Sequence, residues 1–319
     1  MNNYIYIIGN GAIGKALAVF LKLENKNVTI LRGTVNDGSI NAEEITVTLP
    51  NQTEQKTEIE VNTINNFTAL DGLIVLTTKS FGNQDIAHVL KGKVGTSPIV
   101  ILQNGLGIEK PFIDNDFPEV YRCVLFATSQ ITGKNKLNFK PVASCPIGIV
   151  NGNEETQNKI AAQLNTANFQ FKPELNINKV IWRKAIANSV FNSICPLLEV
   201  DNGIFYRDDQ VMLIAKRIIA ECISISKELG VSLEANEVIE SLLQISKFSD
   251  GQLISTLQDI NNNRLTEIDT LNLEIARIAA TLGKENLVKE TKILGELVKI
   301  KSEHRFNAKS KHVLGQNIK

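Results

Sequence analysis

"YIYIIGNGAIGKALAVFLKLENKNVTILR", residues Tyr4 to Arg32, decides the fold. Tyr4 to Gly9 is a short β-rich run. Glycines follow, and then "AIGKALAVFLKLEN", whose apolar residues recur at helical period. "NVTILR", Asn27 to Arg32, is strand-like again. Strand, glycine turn, helix and strand within about thirty residues form the βαβ unit of a nucleotide-binding sheet.

Working outward, "DGLIVLTTK" (Asp71 to Lys79) and "PIVILQNG" (Pro98 to Gly105) read as further buried strands, each followed by helical sequence. Asp37 to Asn66 breaks the alternation of strand and helix. There "EEITVTLPN" and "QKTEIEVNTI" alternate apolar and polar residues, which predicts an antiparallel hairpin in place of a crossover helix. "RCVLFATSQ" and "KLNFKPVASCPIGIVNG" read as edge strands, "NEETQNKIAAQLNTA" as an amphipathic helix and "FQFK" as a last strand. The character changes near Pro173. Helical period then dominates: Val180 to Ile194, Gln210 to Leu229, Asn236 to Ile245, Gln252 to Ile260, Glu267 to Leu282 and Lys289 to Glu303. The expectation is an α/β domain over residues 1–172 and an all-α domain over 173–319, with a cleft between them.

Composition excludes several function classes. The chain has 319 residues with 34 Lys plus Arg against 34 Asp plus Glu, so no bulk charge recruits nucleic acid or an anionic membrane. The one basic cluster, Lys309 to Lys311, reads as a solvated tail. No apolar run approaches the ~20 residues of a membrane span, and the start lacks the basic region of a signal peptide. Cys123, Cys145, Cys195 and Cys222 are too scattered for a zinc site or disulfide framework and read as buried thiols. A cytoplasmic setting is expected, and no metal. Of three histidines, only His88 stands clear of the polar C-terminal stretch. Histidine-based catalysis is therefore disfavoured.

"GNGAIG" (Gly9, Asn10, Gly11, Ala12, Ile13, Gly14) places GxGxxG between a strand and a helix. The first glycine makes the turn, the second lets backbone N–H groups approach a pyrophosphate, and the third lets helix and strand pack closely. The helix N-terminus favours the phosphate charge. At the end of the second strand stands Arg32, where an NAD-preferring site carries an acid; the first acid after it is Asp37. A guanidinium binds a 2′-phosphate through charge-assisted bonds, so NADPH/NADP+ is expected. Lys79 and Asn104 end later strands, where open α/β sheets hold their ligands; Lys79 reads equally well as a solvated loop residue.

"WRKAIANSVFNS" (Trp182 to Ser193) is the second informative stretch. At about 100° per residue, Lys184, Asn188 and Asn192 fall within one narrow sector of an otherwise apolar helix. That is no solvent face. Buried amides and ammonium groups need partners, and a polar substrate supplies them. In "ISTLQDINNNRLTEID", Ser255 and Asp259 lie one helical turn apart and Glu267 opens a further helix, serving either its dipole or a substrate.

Together, "GNGAIG" with Arg32, Lys79, "LQNGLG", "WRKAIANSVFNS" and "ISTLQDINNNRLTEID" make the chain resemble the ketopantoate reductases (2-dehydropantoate 2-reductases), in the family's order and over nearly the whole length. The resemblance implies a Rossmann domain followed by a helical domain like that of 6-phosphogluconate dehydrogenase. It implies NADPH-dependent reduction of 2-dehydropantoate, a small 2-oxo acid, to (R)-pantoate on the route to pantothenate and coenzyme A. By position, Lys184 matches the catalytic lysine and Glu267 its acidic partner. Asn104, Asn188, Asn192 and Ser255 match cleft and substrate positions. The chemistry agrees. A ketone taking up hydride develops negative charge on oxygen, and a lysine that ordinarily titrates near about 10.4 is charged and able to donate. Gln252 replaces the Asn of some members, and "NKLNFKPVASCPIG" lacks a His often present there. A dehydrogenase of another small hydroxy acid and a non-catalytic NADP sensor are the alternatives. The long helices suit a monomer or a homodimer.

Overall fold

The computed structural model describes residues 2–33 and 35–316, with side chains as far as residue 308. His312 and the Lys309 to Lys311 side chains lie outside the described ones. The chain divides into two compact units. One comprises residues 1–104 and 108–177, the other 105–107 and 178–319.

The first unit is built on one sheet with strands β1 (Tyr4–Ile8), β2 (Asn27–Arg32), β3 (Asn41–Thr48), β4 (Glu54–Thr63), β5 (Leu73–Leu76), β6 (Ile99–Ile101), β7 (Val120–Cys123), β8 (Ala127–Gly133), β9 (Lys136–Pro141), β10 (Cys145–Asn151) and β11 (Phe171–Pro173). Its helices are α1 (Ala12–Leu23), α2 (Asn83–Leu90), α3 (Lys110–Ile113) and α4 (Glu154–Leu164). The strand order is β11-β10-β7-β6-β5-β1-β2-β4-β3-β9-β8. From β7 through β6, β5, β1 and β2 to β4, every neighbouring pair is parallel. Counting only these six, the order is that of the doubly wound dinucleotide fold.

The strand cores explain this. β1, β5 and β6 are apolar on both faces, as parallel strands covered on both sides must be. One face packs Ile5, Ile7, Val28, Ile30 and Val75 against Leu17, Phe20 and Leu21 of α1. The other packs Ile8, Leu31, Ile74 and Leu76 with Ile86 and Leu90 of α2. Side chains alternate between these faces along each strand, as the strand period requires.

The predicted hairpin is present: β3 and β4 pair antiparallel from Asn41↔Val61 to Thr48↔Glu54. It stands where a helix would join β2 to β4, and it extends the sheet through β9 and β8. The edge assignments hold only in part: Ala127 to Gln130 of "RCVLFATSQ" lie in β8, the terminal strand, whereas "KLNFKPVASCPIGIVNG" forms β9 and β10, each one strand in from an edge, and Arg122 and Cys123 lie in β7. Val120–Cys123 lies inside the sheet between β6 and β10, and its four residues are all buried.

The second unit is helical: α5 (Ile177–Leu198), α6 (Ile204–Arg207), α7 (Asp209–Glu228), α8 (Ala235–Phe248), α9 (Ser255–Asn261), α10 (Asn272–Thr281) and α11 (Lys289–Gln316). Two expectations change. The helix expected from Gln252 begins at Ser255, because the Gln252 carbonyl accepts from the Asn202 amide in a loop. Glu267 does not open a helix. It precedes a 3-10 turn at Ile268–Thr270, whose Thr270 N–H and hydroxyl both return to the Glu267 carbonyl. Leu271, at φ −116° and ψ −106°, then breaks the path before α10 starts.

All four cysteines are buried, and none of them is in a disulfide. Burial pushes the Cys195 and Cys222 thiols up to about 12. Among the described residues, no helix is long and apolar enough to cross a membrane, and no group of three or more His, Cys, Asp or Glu is arranged to hold a metal ion.

Candidate functional site

Strand register gathers the predicted nucleotide residues at one sheet edge. Ile8 pairs with Leu31 and with Leu76, and Leu76 pairs with Ile101. The residues just beyond are the glycine turn, Arg32, Thr77 with Lys79, and Gln103 with Asn104. They therefore leave the carboxyl ends of four parallel neighbours.

Each glycine has a distinct reason. Gly9 lies at φ +129°, and a Cβ there would stand 2.8 Å from the Thr78 backbone nitrogen. A Cβ on Gly14 would run into the Gly9 carbonyl, so the third glycine sets how closely α1 packs on β1. Gly11 faces open space with nothing within 4 Å. Among the described residues no side chain caps the N-terminus of α1, and its first turn carries no acid. Asn10 Oδ1 is buried without a hydrogen-bond partner. An open backbone and an uncapped helix start fit a nucleotide diphosphate; the Asn10 oxygen is an acceptor and can take only a donor.

Arg32 Nη2 donates to the Ser39 carbonyl and, at 2.6 Å, to the Ser39 hydroxyl, with Asp37 at 3.7 Å. Arg32 Nε is buried and unpartnered. Hydrogen bonds from Ser39, then the Arg32 charge, hold the Asp37 carboxyl below the usual carboxylate range. Lys79 is exposed and precedes a turn at Ser80–Gly82. Asn104 is half-buried. Its neighbour Gln103 exchanges amide bonds of 2.7 and 2.8 Å with Asn83 of α2 and donates to Thr78 at 3.0 Å, which fixes the end of β6.

A second set is not apparent from the sequence. Lys15 is buried, and its ammonium donates to Glu43 at 3.0 Å and to Asn135 at 2.6 Å. Asn10 donates to the same carboxylate at 3.4 Å. The hairpin strand β3 and the β8–β9 turn thus both reach the glycine loop. The only local signal was a lysine directly after the third glycine.

In the helical unit, α5 is as apolar as its wheel implied. Lys184 and Asn188 are half-buried, and Asn192 is 3 % exposed. Arg183 points elsewhere and pairs with Glu237 at 3.7 Å. Asn192 Oδ1 has no hydrogen-bond partner although it is buried. Pro196, inside α5, has no N–H to offer the Asn192 carbonyl one turn back. The stripe therefore ends in a buried side-chain acceptor that the fold does not saturate.

Leu197, at the end of α5, packs with Ile260 of α9, Ile268 of the 3-10 turn, Leu273 of α10 and Val298 of α11. That cluster brings the elements bearing Ser255, Asp259 and Glu267 to the C-terminal end of α5. Ser255 is exposed at the start of α9. Asp259 is buried and takes a 2.9 Å bond from Arg264, so it stiffens its own turn. Glu267 is half-buried. The Leu106 amide donates to Thr270 at 2.8 Å, and a Cβ on Gly105 would meet Thr270, so Gly105 permits the approach beside Glu267.

A doubly wound sheet with a glycine turn at its carboxyl edge, followed by a helical unit with a polar stripe on a buried helix, defines the two-domain dehydrogenase class. Family models agree over most of the chain: "Ketopantoate reductase PanE/ApbA" matches residues 5–152, and "Ketopantoate reductase PanE/ApbA C terminal" matches 176–302. The chain belongs to the ketopantoate reductase family of oxidoreductases. It is 28% identical over 285 residues to a 2-dehydropantoate 2-reductase of Streptococcus pyogenes serotype M1, covering 88% of this chain and 92% of that one. The fold matches a PanE/ApbA family ketopantoate reductase from Ralstonia eutropha JMP134 at TM-score 0.82 and 19% identity, over 95% of this chain and 99% of that one. It also matches D-mandelate dehydrogenase, in a ternary structure with NADH and anilino(oxo)acetate, at TM-score 0.81 and 22% identity with the same coverage.

Proposed function

We propose that this protein is an NADPH-dependent 2-dehydropantoate 2-reductase, reducing 2-dehydropantoate to (R)-pantoate on the route to pantothenate and coenzyme A. In this reading residues 1–172 hold the nucleotide and residues 173–319 the substrate. The observation that carries it is the stripe on α5, where a lysine and two amides line a buried helix and the last amide oxygen lacks a partner.

The glycine turn, Asn10 and the start of α1 would hold the diphosphate, Arg32 a 2′-phosphate, and Lys79 and Asn104 the remainder of the dinucleotide. A bound reduced nicotinamide supplies the hydride. The chain's own residues supply the rest. The Lys184 ammonium stabilises the oxyanion that forms on the former keto oxygen and gives it a proton, so hydride and proton together make the alcohol. Asn188, Asn192 and Ser255 bind carboxylate and hydroxyl groups without adding charge. Glu267 accepts from the substrate hydroxyl or orients Lys184.

The test follows NADPH absorbance with 2-dehydropantoate and then with a panel of 2-oxo and 3-oxo acids. Turnover on 2-dehydropantoate above the others supports the proposal. Turnover on another acid alone assigns a different small-acid dehydrogenase, and NADPH binding without turnover on any acid assigns a sensor. Lys184→Ala should lower turnover by at least about 10²-fold, the low end for a general acid.

A further inference from the structure

The loop after β2 engages Arg32 from its own chain. Of the guanidinium donors, the Nη2 group is occupied by the Ser39 carbonyl and hydroxyl. The Ser39 hydroxyl in turn donates to Asp37 at 2.6 Å, and the Ser39 amide donates to the same oxygen at 3.0 Å. Asp37 stands 3.7 Å from Nη2. The loop is itself tethered. Asn66 donates to the Gly38 carbonyl at 3.0 Å and to Asn62 Oδ1 at 2.7 Å, and Gly38 turns the chain at φ +75°. The contact between Arg32 and Ser39 therefore belongs to a braced turn.

This arrangement bears on the choice between two nucleotides that differ by one phosphate. A 2′-phosphate gains from the full positive charge of Arg32 and from its free donors. A 2′-hydroxyl gains little from that charge. An acid beside the guanidinium subtracts from the first without touching the second. Resting on the reading that this chain binds a nicotinamide dinucleotide, we infer that Asp37 is a specificity-determining residue. Its carboxylate, relayed through Ser39, weakens the hold of Arg32 on a 2′-phosphate and narrows the preference for NADPH over NADH. Arg32 remains the phosphate ligand; Asp37 acts through it.

The test measures dissociation constants for NADPH and NADH from the fluorescence of the bound dihydronicotinamide, for the native chain and for Asp37→Asn. Asn retains an oxygen for the Ser39 amide and hydroxyl and loses only the charge. The expected result is NADPH binding tightened about threefold, the scale of one exposed charge pair, with NADH unchanged. The gain should shrink at about 1 M salt, where screening is strong. An unchanged ratio of the two constants overturns the assignment to Asp37, as does weakening confined to NADH, which would make Asp37 a direct ligand of the ribose. Both outcomes leave the nucleotide reading standing. A native chain that binds neither dinucleotide overturns both.

Discussion

Lys15 and Glu43 meet at 3.0 Å between the first turn of α1 and the hairpin strand β3, with side chains only 10% and 21% exposed. Asn135 at 2.6 Å and Asn10 at 3.4 Å complete the network. A pair this sheltered is screened less than one on the surface, and losing one partner strands the other. The hairpin is thereby tied to the loop that carries the candidate nucleotide site.

Lys15→Met should cost about 1–2 kcal/mol in urea unfolding, between the values for exposed and for buried pairs. It should also weaken NADPH and NADH alike, because it leaves the Glu43 carboxylate uncompensated beside their phosphates. The double variant with Glu43→Gln should recover part of both losses. If the double variant were no better than Lys15→Met alone, the two residues would not be coupled.

The glycines of the turn should separate by phenotype. Gly14→Ala forces a Cβ onto the Gly9 carbonyl, a backbone atom that cannot swing away. Overpacking of that kind costs about 1–3 kcal/mol. Gly11→Ala meets nothing within 4 Å at an ordinary φ of −89°, so its melting temperature should match the native chain. It should nonetheless lose nucleotide affinity on the order of tenfold, because the added methyl stands where a diphosphate must approach. Equal melting temperatures for both variants would contradict the packing role given to Gly14.

These contrasts show what the sequence made legible. GxGxxG carries its own context, so the strand, turn and helix could be read from residues next to one another. The α5 stripe was legible for the same reason, since its wheel needs only residues 182–193. Glu43 and Asn135 were not legible, because they reach Lys15 from 28 and 120 residues away. The misread start at Glu267 had another cause. Apolar period continues through Leu271, and only the backbone angles there reveal the break. Arg122 and Cys123 read as an edge because "RCVLFATSQ" runs into exposed β8, although β7 itself is interior.

Acid should unfasten a surface clamp in the helical unit. Arg207 grips both Asp201 oxygens at 2.8 Å and Asp250 at 2.6 Å, while Asp201 accepts from the Gly203 amide at 2.7 Å. The Arg207 bonds foremost hold the Asp201 carboxyl below its usual range. A carboxylate whose pKa is depressed on folding stabilises the fold above its unfolded pKa, about 3.9, and loses that contribution as pH falls through the folded value. Arg207→Met should therefore melt lower than the native chain at neutral pH. The gap should narrow in acid, once the Asp201 carboxyl is protonated. A gap independent of pH would assign the loss to packing of the Arg207 stem.

Asn192 offers the sharpest separation of stability from function. Its Oδ1 is buried and unpartnered, and a buried polar atom left unsatisfied costs about 1–3 kcal/mol. Leucine is close in size and has no polar atom to strand. Asn192→Leu should thus melt at the native temperature or above it. If the oxygen is kept for a substrate donor, the same variant should lose about 10- to 100-fold in kcat/KM, the worth of one hydrogen bond in a dry site. Nucleotide affinity should not change. A variant both less stable and fully active would mean that Asn192 serves the packing of α5 and takes no part in holding the acid.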